Sequence, residues 1–176
     1  MEPAPAEPPP PQADAPQLTL PQPAPRPRRR VRFFGSFEGG YQFASLYDVS
    51  MNGGTIGGLL GADFGRWTVG GRLEGTPMRT EGGLTSFAIF FGPETEVRFG
   101  RLRVGGGLRV GILTVDRVTT SSTMAQMTLG LEARLSVDLI RFDDDGHGAF
   151  FLVANSSTDI VSSLMYAIGA GAGVRF

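Results

Sequence analysis

The sequence predicts an all-β chain, an eight-stranded antiparallel up-and-down β-barrel behind a proline-rich N-terminal tail. Three observations carry that expectation. Apolar residues alternate with polar or small ones through most of residues 31–176, and no stretch repeats at the helical period of 3.6. Composition breaks near residue 31: eleven of the thirteen prolines lie in 1–30, and all twenty-six glycines lie after residue 34. Tight turns also alternate with somewhat longer polar connections, as in a meander that closes on itself.

Residues 1–30 are dominated by Pro, Ala, Gln and Glu and end in the basic run Pro25-Arg26-Pro27-Arg28-Arg29-Arg30. Such a segment has too little apolar surface to offset chain entropy, so a disordered, polyproline-like spacer is expected. Residues 31–176 are long enough for one domain.

The first strand places Val31, Phe33, Phe37, Tyr41, Phe43 and Tyr47 on one face, against Arg32, Ser36, Glu38 and Gln42. A weaker strand is expected over about 54–64. Trp67, Val69 and Leu73 oppose Thr68, Arg72 and Glu74, and Phe87, Ile89, Phe91, Val97 and Phe99 oppose Ser86, Glu94, Glu96 and Arg98. Leu102, Val104, Leu108, Val110 and Ile112 oppose Arg103, Arg109 and glycines, and Met127, Leu129, Leu131, Leu135 and Val137 oppose Glu132, Arg134 and Asp138. A second weak strand spans about 148–156, and Tyr166–Phe176 closes the set. The segments FGRWTVGGRLEG (64–75) and FGRLRVGGGLRV (99–110) form an internal repeat, each opening on a two-residue Gly-Arg hairpin turn. Longer connections are expected near 47–53, 78–83, 116–123 and 156–163.

The polar face holds most of the in-strand glycines. A crowded lumen needs such small residues, whereas on a solvent-facing wall they would only weaken the strands. That face also carries seven arginines (32, 72, 98, 103, 109, 134, 175) and seven acids (38, 63, 74, 94, 96, 132, 138), a balance suited to pairing away from water. Aromatics gather near the ends of the apolar face: Phe33, Phe64, Trp67, Phe99 and Phe176 at one rim, Tyr41, Phe43, Tyr47 and Phe87 at the other. Such girdles belong at membrane–water interfaces. The expected wall is therefore apolar outside and charged inside, a transmembrane barrel.

Several functions are disfavoured. A net charge of −1 does not mark a nucleic-acid binder, and the absence of cysteine excludes disulfides and thiolate chemistry. His147 is the one histidine, so no base, orienter and nucleophile converge. Asp143-Asp144-Asp145-Gly146-His147 lacks calcium-loop spacing and reads as an acidic turn, and Gly105-Gly106-Gly107 is followed by no helix to bind phosphate. No apolar run reaches the roughly 18 residues of a spanning helix.

The chain end is the sharpest motif: Tyr166, Ile168, Ala170, Ala172, Val174 and Phe176 alternate strictly up to a terminal aromatic. With it, residues 31–176 resemble the small outer-membrane β-barrel superfamily typified by the transmembrane domain of outer-membrane protein A. The resemblance implies an outer-membrane location in lipid, both termini in the periplasm and recognition of the terminal strand by the barrel-assembly machinery. It also implies a secretory signal, which Met1-Glu-Pro-Ala-Pro does not supply, so a mature form is expected. Without the family's C-terminal peptidoglycan-binding domain after the barrel, the proline tail is expected to be the one extra-membrane segment.

The reading that follows is a non-enzymatic, monomeric structural or envelope-tethering barrel without cofactor or metal. Its tail would meet peptidoglycan or another periplasmic component. A small conduit, or a soluble lipocalin-like barrel, is the alternative. Inside, Glu94, Arg109 and Glu132 are expected to form a central cluster, with Glu38, Arg72, Glu74, Glu96, Arg98, Arg103 and Arg134 around it.

Overall fold

The computed structural model describes residues 31–46, 49–80, 82–116, 123–142, 148–160 and 164–176. The tail, Tyr47 and the 143–147 turn lie outside them. The strands are β1 (Arg32–Leu46), β2 (Val49–Asp63), β3 (Trp67–Thr80), β4 (Thr85–Phe99), β5 (Leu102–Asp116), β6 (Thr123–Arg141), β7 (Ala149–Ile160) and β8 (Leu164–Arg175). Each pairs antiparallel with its sequence neighbour, and β8 returns to β1 to close the barrel. Closure leaves no unpaired edge, which a wall in lipid cannot tolerate.

The alternation sorts the faces as expected. Phe33 is 91 % exposed and Leu60 71 %, whereas Glu38, Arg72, Glu94, Arg109 and Arg134 are buried inside. That polarity is the reverse of a soluble ligand barrel, whose apolar face must point inward. Phe33, Phe64, Trp67 and Phe99 stand on the outer face toward the rim that holds the termini. Tyr41 and Phe43 stand outward nearer the other rim, edge to face at 5.2 Å, and the Tyr41 hydroxyl donates to Asn52 Oδ1 (2.7 Å).

Two hairpins match the sequence reading in detail. Gly65 (φ 89°) and Gly100 (φ 65°) occupy the left-handed region that their two-residue turns require. From the second turn the register runs Arg98↔Arg103, Glu96↔Gly105 and Glu94↔Gly107, which is what a two-residue turn at Gly100-Arg101 dictates.

Strand ends and loop lengths differ from expectation. β2 begins at Val49 and β7 continues to Ile160, so residues 49–53 and Ser157–Asp159 lie within strands rather than connections. In a lipid-facing wall the backbone must be paired whatever side chain it carries, and polar or small residues do not end a strand there. Nor are the connections short on one rim and long on the other. Segment 142–148 joins β6 to β7 on the rim of the termini, while only 47–48 joins β1 to β2 opposite.

Candidate functional site

The lumen is divided into two chemically distinct halves. Toward the termini it is charged; toward the other rim Ala44, Met51, Met78, Ala88, Phe90, Leu113, Met165 and Ala167 pack into an apolar cluster. The sequence reading placed charge throughout and missed this cluster. Its signal was present: Met78 continues the inward parity of Glu74, Phe90 that of Glu94, and Leu113 that of Arg109.

One rule organises the charged half. On the rungs that cross three neighbouring strands, a glycine repeatedly sits between two bulky inward side chains. The rungs are Glu38–Gly57–Glu74, Glu94–Gly107–Glu132, Glu96–Gly105–Arg134 and Arg109–Gly130–Asp159. The missing side chain gives the flanking groups room to approach over the middle strand. A Cβ on Gly105 would stand 2.8 Å from Glu96 Cγ, and one on Gly130 would stand 2.8 Å from Asp159 Cγ. Both are closer than real Cβ contacts allow, so these positions are closed to any larger residue unless the neighbours shift.

Across this frame run two struts. Arg134 of β6 grips Glu38 of β1 with both terminal nitrogens, Nη1 donating to Oε1 at 2.7 Å and Nη2 to Oε2. Arg72 of β3 donates to the same Glu38 and, at 3.1 Å, to Glu74. Arg72 also stands 3.6 Å from Glu94 and 3.8 Å from Glu132, and Arg134 stands 3.6 Å from both Glu94 and Glu96. These contacts tie β1, β3, β4 and β6, of which only β3 and β4 are neighbours, together through the barrel's middle. The cavity beside them, lined by Arg72, Glu74, Phe90, Glu94, Arg109 and Glu132, measures about 10 Å³, the space of a single water.

The expected Glu94–Arg109–Glu132 cluster is only half formed. Arg109 does reach Glu132, at 3.6 Å, from the neighbouring strand. Its closer partner is Asp159 at 3.0 Å, reached over Gly130, and Glu74 lies at 4.0 Å. The guanidinium also lies over the Phe90 ring, 3.5 Å from its centroid. These attractions draw Arg109 away from Glu94, and the cation that bridges Glu94 and Glu132 is Arg72. Asp159 was missed by sequence reasoning because Ser156–Asp159 was read as loop; alternation carried on from Phe151, Val153 and Asn155 would have placed it inside.

Nearer the terminal rim a second group forms. Arg175 donates to Asp138 at 2.9 Å and lies 3.7 Å from Glu96; Arg103 stands 3.9 Å from Asp138 and 4.0 Å from Glu96. Glu96 thus lies diagonal to Arg103, offsetting the facing Arg98–Arg103 pair. Arg98 itself is half-buried at this rim. The Phe151 ring, fully buried, is faced by Arg175 at 4.8 Å and Arg134 at 6.0 Å.

The terminal motif lies on the outer wall. Tyr166, Ile168, Ala170, Val174 and Phe176 are exposed and Ala172 is half-buried. Phe176 is tied to β1 by a reciprocal pair of backbone bonds with Gly35, 2.8 and 2.9 Å.

No family model and no curated protein matches the sequence. Solved structures do match in shape. Ail, the attachment invasion locus protein of Yersinia pestis, has a TM-score of 0.54 at 15 % identity, over 82 % of this chain and 99 % of that one. Neisserial surface protein A has a TM-score of 0.55 at 14 % identity, over 83 % of this chain and 97 % of that one. With an apolar outer belt, a charged interior and this likeness in shape, the chain has the fold of the small eight-stranded outer-membrane β-barrels.

Proposed function

We propose that the chain is an integral outer-membrane protein of structural or envelope-tethering role whose lumen is closed, and that it is not an enzyme. The observation that carries this is the pair of struts from Arg134 and Arg72 to Glu38, which cross the lumen and leave beside them room for about one water. Above them the apolar cluster offers ions no hydration. The lumen's charged groups are engaged with one another rather than aimed at an open pocket. In this reading the N-terminal tail extends into the periplasm toward peptidoglycan or another envelope component. The barrel-assembly machinery reads the strand that ends at Phe176.

Single-channel recording in a planar bilayer tests the closed lumen. The expected result is no steady current; continuous conductance by the native protein would favour a small conduit instead. The membrane assignment has its own test. A monodisperse solution without detergent would overturn it and return the soluble ligand barrel to consideration.

A further inference from the structure

The Phe-Gly-Arg repeat at 64–66 and 99–101 has a use beyond turning the chain. Both copies lie on the rim that holds the termini. Each places a phenylalanine outward at the end of a strand, a left-handed glycine at the tip and an exposed arginine after it. The Arg66 guanidinium lies over the ring of Phe99, 4.7 Å from its centroid, so one hairpin's arginine rests on the next hairpin's aromatic. The backbone fixes this spacing: Arg98 N donates to Arg66 O at 2.8 Å, and Asp138 N donates to Arg101 O at 2.9 Å. Arg141 braces the second turn by donating to Gly100 O.

Charge on this rim is segregated. Its described acids, Asp63, Glu96 and Asp138, are at most 3 % exposed, whereas Arg32, Arg66 and Arg101 are exposed. The arc from β1 to β5 is therefore cationic at its surface among the described residues. The aspartates 143–145 lie outside the described residues. Below the arginines the outer wall shows Phe33, Phe64, Trp67 and Phe99. Aromatic rings settle at headgroup depth, and a guanidinium held just beyond them presents its planar fork to phosphate.

We infer that the two Phe-Gly-Arg hairpins form a docking rim for the phosphate headgroups of anionic phospholipids in the leaflet around the termini. The inference rests on the membrane reading above and adds a lipid preference to it. Each arginine near an anionic surface strengthens attraction by roughly five-fold, an effect that added salt weakens.

Trp67, the single tryptophan, stands within this rim and reports on it directly. The full chain is reconstituted into bilayers in which phosphatidylcholine is progressively replaced by brominated phosphatidylglycerol or, separately, by brominated phosphatidylcholine. Quenching of Trp67 gives the relative occupancy of the two lipids. The expected result is at least a five-fold preference for phosphatidylglycerol at low salt, falling toward unity at high salt. The joint variant Arg66→Gln/Arg101→Gln should lose that preference with unchanged strand content, while Arg79→Gln at the opposite rim should keep it. Equal quenching of the native protein by both lipids, or a preference that survives the joint variant, overturns the inference. So does a preference for lipopolysaccharide over phosphatidylglycerol in the same bilayers. Failure to insert at all would instead refute the membrane reading, so the two failures are distinguishable. If the joint variant does not fold, the native protein's preference and its salt dependence still decide.

Discussion

Replacing Arg134 by methionine removes one strut while keeping a side chain of similar length. Three carboxylates lose a cation: Glu38, which accepts two bonds from it, and Glu94 and Glu96, each 3.6 Å away. None is left alone. Glu38 and Glu94 keep Arg72, and Glu96 keeps Arg103 and Arg175. Two charge-assisted bonds contribute about 1.5–3 kcal/mol each, and breaking a buried ion pair costs about 3–5 kcal/mol. Because the remaining arginines cover part of the loss, the lower end of that range applies, about 3 kcal/mol. That is roughly a hundred-fold in the unfolding equilibrium.

Urea unfolding from detergent micelles, followed through Trp67, measures the change. The double variant Glu38→Leu/Arg134→Met removes both partners and should recover more than half the loss, since an apolar pair of similar volume needs no compensation. The cycle should therefore show a coupling of at least about 1.5 kcal/mol between the two positions. The same single variant should raise bilayer conductance, because the bidentate grip on Glu38 is what spans the lumen. A loss below about 1 kcal/mol, or strictly additive losses in the double variant, would refute the strut.

Deleting Phe176 should sharply lower the yield of folded barrel in cells but reduce spontaneous refolding into detergent much less; equal losses would make Phe176 only a packing residue. A chain starting at Val31 should fold with the same strand content by circular dichroism, and protease should trim residues 1–30 from the full chain while the barrel survives. Protection of the tail would mean that it packs on or plugs the barrel. Gly130→Ala should displace Asp159 from Arg109 and cost about 1–3 kcal/mol in the same urea assay, as overpacking does; an unchanged midpoint would show that the rung has slack.

Much of this molecule follows from a period of two. Once Glu94 is known to point inward, so must Glu96 and Phe90, and a two-residue turn at Gly100-Arg101 then fixes which residues of β5 lie opposite them. Backbone parity and turn geometry are local properties, and they gave the closed barrel and its outward apolar belt. Strand ends were harder to read, because Asn52-Gly53 and Ser157-Thr158 carry loop-like side chains on a backbone that the wall nonetheless pairs.

The partners of the arginines follow from something that parity does not describe. Parity says that Arg109 and Arg134 enter the lumen; which carboxylate each meets depends on the reach of a long side chain and on which neighbours are small. Glu38 and Arg134 are 96 positions apart, on strands with β7 and β8 between them, so no register rule relates them. The inward glycines supply the missing constraint. Arg109 crosses to Asp159 because Gly130 stands between them, and Arg134 reaches Glu96 over Gly105. A barrel reader who marks the inward glycines first, and asks which charged groups flank each of them on its rung, recovers one contact of each of those two arginines. The grip of Arg134 on Glu38 still requires the closed circle, since only closure sets β1 and β6 facing each other across the lumen.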